Sequence, residues 1–299
     1  MSEWSWDPDP ASGIRNRWVE ANGLRFEVAE AGEGDRLALL LHGFPELNFS
    51  WRHQMPLLAS LGYRVWAPNQ RGYGQSSRPH GIAAYAADKL VADAAALIDA
   101  SGAREVTLIA HDWGGAIAWN FAIQRARPLA RLVVMNCPHP ACFARELKTW
   151  KQLRKSWYMF FFQLPWLPEA LLTANDARAV RRAFSESAID KRRFPRADLD
   201  VYAHAAQAPG AMTAMINWYR AAARNRTLTS LEDYPVIEVP TLLIWGEADA
   251  ALDIATTQGT ERYVGDFTLR RLPGVSHWVQ QEAPEAVNAI LETWLPRAR

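Results

Sequence analysis

Val106-Thr-Leu-Ile-Ala-His-Asp-Trp-Gly-Gly-Ala-Ile-Ala-Trp119 changes character halfway along. It begins as an unbroken apolar, β-branched run, the pattern of a buried strand. It ends as small and apolar residues at helical spacing. Between the two lies Ala110-His111-Asp112-Trp113-Gly114-Gly115. A small residue, any residue, Asp, any residue and two glycines is the layout of a nucleophile elbow, a tight strand-to-helix turn that lifts one side chain above a sheet. Small neighbours are required because the backbones pass close and the turn is strained. The lifted residue here is Asp112, where the common form has Ser.

An aspartate at that point carries a chemical implication. A serine attacking a saturated carbon would form an ether, which no ordinary triad can cleave. A carboxylate attacking the same carbon forms an alkyl ester, which water can hydrolyse at the carboxyl carbon. Asp112 therefore points to displacement at a saturated carbon, as in an epoxide or an alkyl halide, followed by ester hydrolysis. The plainer alternative is an Asp that only caps the following helix.

The surrounding chain is expected to be α/β, with a mostly parallel, doubly wound sheet. Strand-like residues 16–20 and 24–30 flank Asn22-Gly23, a two-residue hairpin signal. Strands are expected at 37–41, 63–67, 131–135, 240–245 and 266–272, and helices at 51–60, 84–100, 113–126 and 283–294. Strands alternating with helices at this spacing give a parallel sheet covered on both faces. Residues 138–228 break the pattern, with helical spacing, many aromatics and no convincing strand. The expected division is a core of residues 1–137 and 229–299 around a helical insertion, 138–228.

Bulk properties exclude several classes. The chain has 299 residues, 49% hydrophobic and 22% charged, with net charge +1, which gives no electrostatic case for nucleic acid or an anionic membrane surface. No apolar run is long enough to span a bilayer. The N-terminal residues lack a basic region followed by an apolar stretch, so no signal peptide is expected. Cys137 and Cys142 are too few for a disulfide framework or zinc site, which makes a reducing, cytoplasmic setting the default.

Two further segments match the elbow. Trp245-Gly-Glu-Ala-Asp249 places a carboxylate after a strand, and Pro273-Gly-Val-Ser-His277-Trp278 places a histidine after the last strand. Ligand chemistry in open α/β sheets gathers beyond the carboxyl ends of the strands. Nucleophile, acid and His then occur as Asp112, Asp249 and His277, the chain order of the α/β-hydrolase triad. Asp253 is a second candidate for orienting His277. His42-Gly-Phe-Pro45 follows a buried strand and would present the Phe44 amide beside that of Trp113. Two such donors would form an oxyanion hole, with Gly43 allowing the turn.

With these pieces in place, the chain resembles the epoxide hydrolases of the α/β-hydrolase fold. The matches are His42-Gly-Phe-Pro-Glu46, Gly72-Tyr-Gly-Gln-Ser76, His111-Asp-Trp-Gly-Gly115, Asp249 and His277-Trp278, and they cover nearly the whole chain after about residue 15. The resemblance implies that the insertion is a helical cap carrying two tyrosines that hold the epoxide oxygen. Tyr158, in Trp157-Tyr-Met-Phe-Phe-Phe-Gln-Leu-Pro165, and Tyr219, in Asn217-Trp-Tyr-Arg220, stand in matching contexts. Phenols, with an ordinary pKa of about 10, are neutral donors at working pH and suit an alkoxide leaving group. Tyr73, Tyr85, Tyr202 and Tyr234 read as core, Tyr63 as a strand start and Tyr263 as helical.

Asn69 and Ser276 depart from the family pattern, where Asp and Gly are usual. No metal or organic cofactor is implied. The expected partner is a small epoxide, apolar or aromatic given Trp113, Trp150, Trp157, Phe160 and Trp166, with Trp113, Trp157 and Phe160 as its contacts; a homodimer is left open. The rival activity is a haloalkane or haloacid dehalogenase using the same Asp. A third possibility is a non-catalytic relative that binds a small molecule, against which both Asp249 and His277 argue.

Overall fold

The computed structural model describes residues 6–224 and 234–297. Eight strands form one sheet in the order β1-β2-β4-β3-β5-β6-β7-β8. They are β1 (Arg15–Ala21), β2 (Leu24–Ala31), β3 (Arg36–Leu41), β4 (Arg64–Pro68), β5 (Glu105–His111), β6 (Arg131–Met135), β7 (Thr241–Gly246) and β8 (Phe267–Leu272). β2 pairs antiparallel with β1 and with β4; every other neighbour is parallel. The β1–β2 hairpin turns where expected, with Asn22 at φ 50° and Gly23 at φ 69°. Both values lie in the left-handed region that such a turn requires.

Alternation along the central strands divides the core. Leu37, Leu39 and Leu41 of β3 pack on one face, beneath α2 (Ala87–Ser101) and α3 (Trp113–Ile123). Ala38 and Leu40 pack on the other, against α1 (Met55–Ser60). Val287 and Leu291 close that second face from a helix that begins at Pro284 and ends at Trp294. Because both faces are covered, β5, β6 and β7 are buried along nearly their whole length.

Some boundaries move. The helix expected from residue 51 starts at Met55; a short 3-10 turn, Asn48–Trp51, precedes it and Pro56 occupies its first turn. α2 starts at Ala87 rather than 84, because a 3-10 turn, Ile82–Tyr85, ends in an extended Ala86. Tyr263 is not helical; it closes the 3-10 turn Thr260–Arg262.

Between β6 and β7 the described residues contain helices α4 (Pro140–Glu146), α5 (Trp150–Lys155), α6 (Trp157–Phe161), α7 (Leu167–Ser187), α8 (Arg196–Gln207) and α9 (Ala211–Arg224), and no strand. α7 is interrupted at residues 174–177. The expected end of the insertion, at residue 228, lies outside the described residues. After β8 come α10 (Val279–Glu282) and α11 (Pro284–Trp294).

α3 sits directly on the end of β3. A Cβ at Gly114 would run into the Leu41 carbonyl, and one at Gly115 would come 2.5 Å from Cys137 Cβ. Backbone cannot yield as a flexible side chain can. Gly114→Ala should therefore cost about 1–3 kcal/mol, the usual penalty of overpacking, read as a lower midpoint in urea unfolding.

Candidate active site

Asp112 stands between β5 and α3 with φ 49° and ψ −120°. A non-glycine residue there carries roughly 1–3 kcal/mol of strain, which the surrounding packing must hold. Its amide donates to the Met135 carbonyl at 3.2 Å and its carbonyl accepts from Ala116 at 2.9 Å. Gly43 has an ordinary φ, so its role is not to permit a turn. A Cβ on Gly43 would overlap the Asp112 side chain, so its bareness lets the two loops approach.

The expected groups converge on this point. The Phe44 amide donates to Asp112 Oδ1 at 2.8 Å, from a loop in which the Phe44–Pro45 peptide is cis. Trp113 opens α3, so its amide has no acceptor within the helix. His277 Nε2 lies 3.5 Å from Asp112 Oδ2, and His277 Nδ1 donates to Asp249 Oδ2 at 2.6 Å. Asp249 is buried and also accepts from the amides of Ala251 and Leu252 at 2.7 and 2.8 Å. Asp253, the second candidate, is turned away. It pairs with Lys151 at 2.8 Å and Lys155 at 3.4 Å.

A cavity of about 150 Å³ opens over Asp112, with walls that are almost wholly apolar: Trp113, Ile117, Phe143, Met159 and Leu252 are among them. Tyr158 of α6 and Tyr219 of α9 both line it, their rings 5.9 Å apart. Tyr219 is wedged among Trp113, Phe162 and Phe44 at ring distances of 4.9, 4.9 and 5.2 Å. Tyr85, expected to be plain core, is buried and also lines this cavity.

Two expected contacts fall elsewhere. Trp157 and Phe160 are 64% and 61% exposed and take no part in the lining. Helical geometry explains why. Tyr158 and Met159 face the cavity, and Trp157 and Phe160 lie about 100° and 160° round the helix from Tyr158. Trp150 and Trp166 are likewise on the surface.

Electrostatics follow from burial and pairing. Burial alone would raise the Asp112 carboxyl; the hydrogen bond and charge of His277, the His111 ring and the Phe44 amide hold it below its ordinary 3.8. Burial likewise works against Asp249, and His277, Asn136 and the Leu252 amide lower it. Burial favours a neutral His277, yet Asp249 and Asp112 together raise it well above 6.5. Tyr158 and Tyr219 are both raised, first by burial and then by nearby anionic or ionisable groups, so both phenols keep their protons.

Three supporting residues had no role in the sequence analysis. Glu46, fully buried, meets His111 Nδ1 at 2.6 Å and accepts from the Gly43 amide at 2.7 Å and from Gln280 and Gln281 at 2.8 and 2.9 Å. His111 Nε2 lies 2.9 Å from the His277 carbonyl. The available signal was a Glu and a His inside the two motifs already quoted, one residue from each expected oxyanion or nucleophile position or close to it. Asn136, at φ 38° beyond β6, donates to Asp249 Oδ2 at 2.7 Å and accepts from the Gly246 amide at 2.8 Å. Its only signal was its place after a strand.

Residues 39–284 match the alpha/beta hydrolase fold family. The chain belongs to that family. It is 39% identical over 287 residues to the AB hydrolase superfamily protein YfhM of Bacillus subtilis, covering 95% of this chain and 98% of that protein. It is 38% identical over 284 residues to Epoxide hydrolase 4 of Homo sapiens, covering 93% and 77%. Among solved structures, an inhibitor complex of Bacillus megaterium epoxide hydrolase superposes with a TM-score of 0.85 at 28% identity, covering 93% of this chain and 99% of that one. The resemblance drawn from the motifs and the hydrolase fold are thus borne out.

The raised His277 and lowered Asp112 and Asp249 tie stability to pH. A raised His pKa adds stability that is full below 6.5 and is lost as pH climbs through the folded value. Lowered carboxyls add stability that is full above 3.8 and is lost as pH falls through theirs. The stability advantage of the wild type over His277→Gln should therefore shrink on going alkaline, read as converging thermal midpoints across a pH series.

Proposed function

We propose that this hydrolase adds water to an apolar or aromatic epoxide, giving a vicinal diol through an ester on Asp112. The observation that carries this is an ionised carboxylate on the elbow, beside an Asp249-oriented imidazole and facing two phenols that keep their protons. Residues 138–228 act as the cap, bringing Tyr158 and Tyr219 over the nucleophile.

In the first step one Asp112 oxygen attacks a ring carbon, and the ring C–O bond breaks. The ring oxygen takes a proton from Tyr158 or Tyr219, which would otherwise leave as a poorly departing alkoxide. Esterification removes the Asp112 charge, one of the two charges that raise His277. His277 then passes its proton to the phenolate left by ring opening and becomes a base. In the second step it takes a proton from water, and the hydroxide attacks the Asp112 carboxyl carbon. The Phe44 and Trp113 amides hold the oxyanion. Collapse expels the diol oxygen, which takes up the His277 proton, and the proton shed as Asp112 returns to carboxylate restores the imidazolium.

A dehalogenase would need N–H donors for halide rather than acids. A pair of phenols that keep their protons is better matched to an oxygen leaving group.

His277→Gln should carry out the first step and stall, so intact-mass measurement with styrene oxide should show the protein heavier by one substrate. In the wild type, a single turnover in heavy-oxygen water should label Asp112 and give unlabelled diol. Label in the first diol would rule out the ester. Tyr158→Phe and Tyr219→Phe should each lower the rate of ester formation by about 100-fold, and the double variant by more, read as single-turnover kinetics at constant fold.

A further inference from the structure

The outer surface of α5, α6 and the turn into α7 carries an exposed aromatic stripe. Trp150 and Trp166 are each 72% exposed, and Trp157 and Phe160 nearly as much. Trp150, Lys151 and Arg154 are exposed on α5, Trp157 and Phe160 share one face of α6 at a spacing of three, and residues 163–166 are exposed in the turn that follows. Buried Gln152, Ser156 and Phe162 alternate with them. The usual polarity is reversed. Gln152 Nε2 donates to Ser156 Oγ and to the Ala251 carbonyl, both at 2.9 Å, facing inward, and the tryptophans face out. Exposed apolar surface gathered in this way marks a contact site.

The chain as a whole is near neutral, but charge along this segment is uneven and indicates what covers it. Between Glu146 and Glu169 the chain has Lys148, Lys151, Arg154 and Lys155 and no acidic residue. Lys155 is tied inward, to Asp253 and to the Asp249 carbonyl. Lys151 pairs with Asp253 but remains 69% exposed. Lys148 and Arg154 are exposed and face no acidic partner among the described residues.

We propose that this face docks on an anionic lipid surface, with Trp150, Trp157, Phe160 and Trp166 in the headgroup boundary and Lys148 and Arg154 against lipid phosphates. Tryptophan favours that boundary because its ring is apolar with one polar edge, and long cationic side chains reach past apolar neighbours to phosphate. A second copy of this chain, by contrast, would set these cations against one another. Among the described residues no helix is long and apolar enough to cross a membrane, so the contact is peripheral. Tyr158 and Met159, on the inner side of the same α6, line the cavity. Docking therefore sets the cavity wall against the phase in which apolar small molecules dissolve. The inference stands apart from the chemistry proposed for Asp112.

Flotation of the full chain with phosphatidylcholine vesicles, with and without phosphatidylglycerol, tests it. Binding should require phosphatidylglycerol and weaken steeply with salt. Lys148→Gln with Arg154→Gln should lower the partition about 30-fold, since each cation near such a surface contributes roughly fivefold. Lipids brominated in their acyl chains should quench wild-type tryptophan fluorescence, and Trp157→Gln with Phe160→Gln should reduce both the quenching and the binding. All four positions are exposed; circular dichroism and thermal melting verify the fold. Absence of flotation, equal binding to neutral vesicles, or a dimer in solution that Trp157→Gln with Phe160→Gln dissociates would each overturn the proposal.

Discussion

The loop after β3 must come within contact distance of the turn after β5, and most of the site follows from that approach. Gly43 meets the Asp112 side chain where any Cβ would overlap it, and Gly114 meets the end of β3 in the same way. With both surfaces bare, the Phe44 amide reaches Asp112 Oδ1. The strained backbone of Asp112 is then held from several sides: by Met135 of β6, by the first turn of α3 and by Phe44. Strain of this kind persists only where neighbours over-determine it.

Behind that contact, Glu46 and His111 join three separate loops. Glu46 holds the Gly43 amide, His111 precedes Asp112, and the other His111 nitrogen meets the carbonyl of His277. The Ser276 amide is held in turn by Glu282 at 3.0 Å. A buried carboxylate is costly unless fully paired, and Glu46 receives hydrogen bonds on both oxygens. Each loop's position is thereby coupled to the other two, so the spacing between Asp112 and His277 does not depend on any one loop's stiffness.

The sheet, its hairpin and the elbow were legible because each rests on local chemistry: unbroken apolar runs, Asn22-Gly23, and glycines beside Asp112. Asp249 and His277 were legible because strand ends gather at one edge. Trp157 and Phe160 were misplaced because composition says that aromatics abound but not which side of a short helix faces inward. Glu46, His111 and Asn136 went unread because their partners lie far away in sequence, and no periodicity marks a side chain that bonds across loops. Asn69, a departure from the family pattern, proves informative: its amide donates to buried Glu27 at 2.7 Å while its carbonyl accepts from the Asn48 amide at 2.8 Å. An aspartate could not make the first bond.

Asp249 has a full set of donors. One oxygen takes the Ala251 and Leu252 amides and the other takes His277 and Asn136. A carboxylate offers about four lone-pair sites, and here every one is occupied. These donors hold the carboxyl below its ordinary 3.8, so in the mechanism proposed above Asp249 works as a fixed electrode: it stays ionised and steadies the imidazolium next to it.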